Sequence, residues 1–375
     1  MRSESLLLLV AMFGACAPDV VIGTERRLTV VTTAPTPEGR WRQAGFRVAA
    51  SEDETSADLW YGTTAADGAL PSFTSPALAG ADAIRASTMV GARFVVAGFV
   101  TGDDGKRVAW VRALDETDGE LWTTTLPSPL GVATEATAVA ATNEGSLVVA
   151  GVEQVSTSDR EGFVALLEAD GAVRWRQSFG TGFQNQVHGV QPLSIATEEG
   201  PASPSRRQFW VAGVRSLATG TPGYVLQMTL DGDVWDSDPL GPGGSRSLGV
   251  VAAGRTGIVV CTRLDGAAQL AWTQGGAVSG AATTEVRRDE PFTLVSCLGS
   301  TSQVKLVGTT SRDGADVPTV ITVDRASRAV VDTRFSPQPQ PVTVFGAAAD
   351  TMGVLRLVGR SESPLRRWSI VEPGH

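Results

Sequence analysis

The stretch 162–177, GFVALLEADGAVRWRQ, decides the fold. Its apolar run from Phe163 to Leu167 is broken by Asp170-Gly171 and resumed by a second run that reaches Trp175. This is the pattern of a β-hairpin: Asp and Gly accept the backbone of a tight turn, and the apolar, β-branched residues on either side fit a pleated surface. The hairpin recurs from Trp110 to Trp122 around Asp118-Gly119, and from Tyr224 to Trp235 around Asp231-Gly232. It returns in weaker form from Trp60 to Leu70 around Asp67-Gly68, and from Val320 to Val331, where Asp324-Arg325-Ala326-Ser327 replaces the Gly turn.

A second element precedes each hairpin, an apolar strand closing on a small residue, as in Leu147-Val148-Val149-Ala150-Gly151. Its copies close at Ala50, Gly98, Gly151, Gly213, Thr262, Gly308 and Gly359. A period of about fifty residues is too long for one solenoid rung and fits one four-stranded propeller blade. In the clearest unit, Ala136 to Ala141 is strand A, Leu147 to Val152 strand B, Phe163 to Leu167 strand C and Val173 to Phe179 strand D. A Glu-, Pro- and Ser-rich insertion, Thr197 to Arg207, lengthens one period; in the fifth, Asp265-Gly266 follows strand B directly and Trp272 fits either C or D. The expected fold is an all-β propeller over residues 28–375, with seven four-stranded blades. The last period runs out of residues after Leu365 to Val371, so the N-terminal strand Leu28 to Val31 is expected to complete the last blade by backbone pairing, leaving no open sheet edge.

Several strands are apolar at nearly every position, as expected for blades buried on both faces. The closing small residue is attributed to inner strands converging on the channel. Trp122, Trp175 and Trp235 are read as blade-packing residues, each worth on the order of 2–3 kcal/mol by burial.

The start of the chain is an address. Arg2, the apolar run Leu6 to Phe13 and the small residues Gly14-Ala15-Cys16 make residues 1–15 a signal peptide. Phe13 to Cys16 resembles the lipobox of bacterial lipoproteins, which implies acylation of Cys16, a tether over residues 16–27 and, with Ala17 rather than Asp next, an outer-membrane destination. Ala15-Cys16-Ala17 also fits an ordinary signal-peptidase site, which would make the protein secreted. No later run approaches the ~18 apolar residues of a membrane span, so the lipid anchor is the only membrane contact expected.

Acidic residues outnumber basic ones, 40 to 31, and no run of Lys and Arg with interleaved aromatics appears, which argues against nucleic acid as partner. Lys106 and Lys305 are the only lysines, and this skew toward Arg is assigned no function. The segment Ala113 to Trp122, ALDETDGELW, resembles the quinoprotein-type propeller repeat, with weaker versions at Leu166 to Trp175 and Thr229 to Trp235. The resemblance implies the propeller and the cell envelope. That family holds quinone-dependent dehydrogenases and also the non-enzymatic propeller lipoprotein of the outer-membrane barrel-assembly machinery. The quinone, calcium and vicinal Cys pair of the enzymes have no recognisable counterpart here, so no cofactor is expected.

Chemistry is otherwise sparse. Only His188 and His375 are histidines, which excludes a His-rich metal site; His188 is expected in a strand-linking loop. Asp115, Asp118, Glu120, Asp231 and Asp233 lack the alternating ladder of a calcium loop and are read as turn chemistry. Ser302-Gln303-Val304-Lys305 opens a strand rather than the helix that S-x-x-K catalysis requires. Gly241-Pro242-Gly243-Gly244 reads as a loop. Cys261 and Cys297 fall on inner strands of adjoining blades and are either a disulfide or small apolar fillers.

Function is therefore expected on loops. The B-to-C loops are long and polar, at Ser51 to Asp58, Thr101 to Arg107, Glu153 to Glu161, Arg215 to Pro222 and Thr310 to Pro318, whereas the C-to-D turns are minimal. The expected role is a lipid-anchored envelope scaffold or binding protein that engages protein or glycan through that face. The alternative is an extracytoplasmic hydrolase or lyase with carboxylates at the ring mouth, recognisable by three converging acids or one strongly shifted carboxyl in a deep pocket.

Overall fold

The computed structural model describes residues 26–36, 40–49, 58–64, 83–156, 159–179, 187–197, 208–217, 223–240, 246–252, 258–272, 282–300, 302–335, 342–349, 355–361 and 367–372. Cys16, the leader, the insertion at 198–207, Gly241–Gly244 and His375 lie outside them. The described strands form successive antiparallel units. The first holds β1 (Arg26–Pro35), β2 (Trp41–Ala49) and β3 (Asp58–Thr64). The second holds β4 (Ala83–Val90), β5 (Arg93–Thr101), β6 (Arg107–Leu114) and β7 (Glu120–Leu126). The third holds β8 (Ala133–Ala141), β9 (Leu147–Gln154), β10 (Arg160–Leu167) and β11 (Val173–Phe179). In the fourth are β12 (Val187–Thr197), β13 (Gln208–Leu217), β14 (Gly223–Thr229) and β15 (Val234–Leu240). In the fifth are β16 (Arg246–Ala252), β17 (Ile258–Leu264), β18 (Ala267–Trp272) and β19 (Ala282–Arg287). The sixth comprises β20 (Phe292–Gly299), β21 (Gln303–Arg312), β22 (Ala315–Asp324) and β23 (Val330–Phe335), and the last β24 (Val342–Ala349), β25 (Leu355–Ser361) and β26 (Arg367–Glu372). One parallel bridge, Arg160 to Gly189, joins the third and fourth units into an eight-stranded sheet.

The first strands of successive units touch in a ring, from β1 through β4, β8, β12, β16, β20 and β24 back to β1. Apolar clusters fill the space between consecutive units, which explains the unbroken apolar runs. Along β9, Leu147 and Val149 face the second unit, while Val148 and Ala150 face the fourth. On β10, Phe163, Ala165 and Leu167 turn one way and Val164 and Leu166 the other. Period-two alternation persists, but both faces are core. Outer strands β7, β11 and β23 are largely exposed or half-buried.

Three expectations change. Leu28 pairs with Arg47, Thr29 with Phe46 and Val30 with Gly45, so the strand from Leu28 to Val31 opens the first unit and does not pair with the last. The chain folds back after Pro35, where Thr36 N–H donates to Arg40 O at 2.8 Å. Among the described residues β26 pairs with β25 only, and the first and last units meet by packing: β1 lies against β24 and β25, and the buried Arg356 guanidinium sits 5.2 Å from the Trp41 ring centre.

The second change concerns the closing small residue. Every first strand carries a β-bulge opposite it, and the residues facing the bulge are Gly45, Gly98, Gly151, Gly213, Thr262, Gly308 and Gly359. In the first unit the closing residue is thus Gly45, five residues before Ala50. The steric cause is also local. A Cβ on Gly98, Gly151 or Gly308 would fall 1.7, 2.2 or 2.0 Å from the carbonyl oxygen of Ala83, Glu135 or Thr293, each on the neighbouring first strand. The bulge, rather than convergence on a channel, demands the absence of a side chain.

Third, the Thr310 to Pro318 stretch is a strand extension. β21 and β22 pair out to Arg312 and Ala315 around a two-residue turn, with φ of 51° at Asp313 and 78° at Gly314. Trp272 falls in the third strand of its unit, and His188 lies in β12 rather than in a loop.

The tryptophans fasten neighbours. The Trp122 indole N–H donates to Ala169 O at 3.2 Å, and that of Trp175 to Leu230 O at 2.8 Å, each reaching the tight turn of the following unit. Gly171, at φ +87°, lies so close to Trp122 that a Cβ would approach its ring to 2.6 Å. Asp-Gly at this turn therefore answers both to the turn and to the neighbouring ring. Between the fifth and sixth units, Cys261 on β17 and Cys297 on β20 form a disulfide with Cα atoms 6.3 Å apart.

Candidate functional site

The strand connections at one end of the second and third units enclose an open cleft of about 860 Å³. It lies on the side of the B-to-C loops. The turn from Thr101 to Arg107 supplies Gly105, Lys106 and Arg107; β4 supplies Arg85 near its start, and β8 supplies Glu135 near its start and Thr137 at mid-strand; the end of β9 supplies Gln154 and the start of β10 supplies Arg160. Gly105, at φ +75°, donates to Gly102 O at 2.9 Å, and Asp104 Oδ1 accepts from Lys106 N–H at 3.0 Å, so the turn presents its two cations in sequence.

Arg85 and Arg107 are held from two sides. Both guanidinium carbons lie over the buried Phe99 ring, at 5.6 and 4.4 Å. Both donate to one carboxylate, Arg85 Nε to Glu135 Oε1 at 2.5 Å and Arg107 Nη1 to Glu135 Oε2 at 3.5 Å. Arg160 Nε donates to Gln154 Oε1 at 2.8 Å, and Lys106 Nζ to Gly131 O at 3.0 Å. Among the described residues the lining thus sets four cations against one carboxylate in a chain whose net charge is −9. Such a lining is chemically suited to anionic oxygens, because guanidinium forks match carboxylate geometry.

β-Bulges place two of these side chains. β12 carries a second bulge at His188; at the bulge opposite the closing small residue, the extra residue is apolar in five first strands, Val31, Leu193, Leu248, Val295 and Phe345, and polar in two, Arg85 and Thr137. Those two line the cleft. A bulge re-aims its extra residue, and here the polar ones are turned to the same space.

The residues singled out in the sequence lie elsewhere. Asp115 Oδ1 accepts from Thr117 N–H, Thr117 Oγ1 and Gly119 N–H, all at 2.8 Å, and these bonds hold its pKa below the usual carboxylate value. Asp118, at φ 66°, pairs with the buried Arg42 of β2, whose Nη1 also donates to Asp115 O at 2.9 Å. Burial pushes the Asp118 pKa up and that of Arg42 down, each partner's charge opposing the shift. Glu120 pairs with Arg112 at 3.2 Å. These acids face separate partners at a turn. Asp231 accepts from Arg174 Nη2 at 3.2 Å, and Asp233 O accepts from Thr229 N–H at 2.9 Å. Ser302 precedes β21, which contains Lys305.

A buried acidic pair lies beside the cleft residues on the same strands. Glu153 and Glu161 stand opposite each other on β9 and β10. Glu153 accepts from Arg176, from Ser178 Oγ at 3.2 Å and from Ser128 Oγ at 3.3 Å. The Glu161 pKa is raised by burial and by the nearby charges of Glu153 and Asp159. Neither acid lines the cleft.

Sequence reading missed the cleft because its cations come from segments up to 75 residues apart and form no run. The usable signal was the bulge position, which was invisible until strand register was known.

The ring of antiparallel units defines a β-propeller. A solved Dos1 propeller superposes with TM-score 0.55 at 12% identity, over 91% of this chain and 92% of that one. Sqt1 from Chaetomium thermophilum superposes with TM-score 0.50 at 13% identity, over 93% and 97%. At these identities the likeness is one of fold. No protein-family model matches the chain, the quinoprotein type included, and no curated protein matches it. Among the described residues no helix is long and apolar enough to cross a membrane.

Proposed function

We propose that the protein is an exported, seven-bladed binding propeller, anchored to the outer membrane by acylated Cys16, that engages an envelope partner through its B-to-C loop face. The carrying observation is the cleft between the second and third units, where two bulges and a structured turn bring polar side chains together on a rigid scaffold. Binding residues belong on such loops, because the scaffold fixes their positions without their having to pack. The Cys261–Cys297 disulfide supports an oxidising compartment. The hydrolase alternative would need converging acids, whereas the carboxylate among the described lining residues, Glu135, is bridged by Arg85 and Arg107.

A photo-crosslinking residue at position 106, on the B-to-C face, is expected to trap a partner in intact cells. The same residue at position 144, in the turn between β8 and β9 on the opposite face, is not. Adducts from position 144 alone would overturn the face assignment. The variant Cys16→Ala is expected to leave the membrane fraction, and unchanged membrane association would overturn the anchor.

A further inference from the structure

The geometry points to an acidic, extended peptide segment as the ligand of the cleft formed by Arg85, Lys106, Arg107 and Arg160. This deepens the binding role proposed above and rests on the B-to-C face being the contact surface.

Charge is the first argument. Among the described lining residues four cations meet one carboxylate, Glu135, and Asp104, outside the lining, stands 3.7 Å from Lys106 Nζ, which still leaves a positive excess on a chain of net charge −9. Against that net negative charge the cleft is a local region of opposite sign, which favours an anionic ligand there. Preorganisation is the second. Arg85 and Arg107 are fixed between the Phe99 ring and the Glu135 carboxylate, so less side-chain freedom is lost when a carboxylate arrives. Arg107 is 55% and Lys106 56% exposed, so both heads reach an incoming ligand.

Size and lining choose among anions. A cleft of about 860 Å³ is larger than one phosphate or carboxylate needs, and its cations come from separate segments, which suits charges repeated along a chain. Gln154, Thr137 and Gly105 keep the lining polar between the cations, their own donors being engaged within the protein, with Ser156 O, Ala150 O and Gly102 O respectively. Among the described residues no aromatic lines the cleft, and the nearby Phe99 is covered by guanidinium groups. A sugar ring or a nucleobase binds by stacking on an open aromatic face, which this lining does not offer. Neutral sugars and single-stranded nucleic acid are accordingly disfavoured, and an acidic glycan, whose carboxylates can meet the same cations, is the competitor to be tested against the peptide.

The test is fluorescence anisotropy on the purified protein with labelled twelve-residue probes. One alternates Glu with Ser, and a second alternates Lys with Ser. Oligogalacturonate and an oligothymidylate of equal charge complete the set. The Glu-Ser peptide is expected to bind, and to weaken several-fold between about 50 and about 500 mM NaCl as its charges are screened. Arg107→Gln and Arg160→Gln should each weaken it about tenfold with unchanged thermal unfolding, whereas Arg287→Gln, on β19 and away from the cleft, should not. Absence of Glu-Ser binding, insensitivity to both cleft variants, or tighter binding of oligogalacturonate or oligothymidylate would overturn the proposal. The two readings fail separately. A partner trapped from position 106 with no affinity for the Glu-Ser probe would sink the peptide ligand and spare the face. Probe binding lost in both cleft variants, with cellular adducts from position 144 alone, would do the reverse.

Discussion

The junction between the second and third units and the junction between the fifth and sixth meet the same requirement with different chemistry. In the first, the outer-strand Trp122 reaches across to the next tight turn, donating to Ala169 O, while Thr124 Oγ1 donates to Gly171 O at 2.6 Å. Trp175 repeats the arrangement one unit on. In the fifth unit the indole belongs to β18, and its N–H donates to Thr284 Oγ1 at 3.0 Å within its own sheet. Arg328 of the following turn stands 5.8 Å from the centre of that ring, and a disulfide crosses the junction. The repeat thus fastens neighbours from its own residues where the outer-strand Trp is kept, and a covalent bond stands where it is displaced.

If the disulfide substitutes for the missing dock, its loss is the largest effect. Cys261→Ala with Cys297→Ala is expected to cost about 4 kcal/mol by the chain-entropy relation for a 36-residue separation, measured by urea unfolding, and reduction of the wild type should match it. A cost below that of a single tryptophan dock would break the comparison.

Next is the turn that receives Trp122. Gly171→Ala places a Cβ at positive φ against the indole, with an expected cost of about 2–4 kcal/mol from strain and overpacking. Gly266→Ala, in the turn between β17 and β18 where φ is also positive at 65°, has its nearest neighbour at 3.6 Å and should cost only the backbone strain. Equal costs at the two turns would show that the ring contact adds nothing.

Smaller again is the indole hydrogen bond. Trp175→Phe keeps most of the packing and loses the bond to Leu230 O, so about 1 kcal/mol is expected. Trp122→Phe should cost less, because Ala169 O also accepts from Arg93 Nη1 at 2.7 Å.

The smallest effect concerns the third unit's buried acids. The Glu161 pKa is raised in the folded state, so the folded protein binds that proton more tightly than the unfolded chain. Its contribution is fully present below the ordinary value of 4.5 and is lost as pH rises through the folded value. Glu161→Gln should therefore flatten the pH dependence of unfolding above pH 4.5 and stabilise slightly at neutral pH. Unfolding curves for wild type and variant that stay parallel from pH 4 to 8 would remove the buried acid from the account.

Much of the fold was legible because its causes are local. Asp170-Gly171 and its copies declare turns, and the runs at 147–151 and 163–167 declare strands, since backbone geometry and side-chain period act over a few residues. The first unit was misread by five residues because Arg47-Val48-Ala49 imitates the pattern closing at Gly45, and only pairing with Leu28–Val31 shows which small residue faces the bulge. The cleft was less legible still. The sequence places Lys106 and Arg107 side by side in a polar loop, but nothing in it brings Arg85, Glu135 and Arg160 to them.

What the chain determined by itself was a repeat of turn and strand, because φ tolerance and apolar periodicity are properties of neighbouring residues. What only the tertiary structure decided was register and adjacency: which glycine lies under a carbonyl, which turn meets an indole, which cysteines meet, and which four cations share one space. Those depend on segments tens of residues apart being held together by apolar clusters between sheets, and no local pattern encodes a distance across that core.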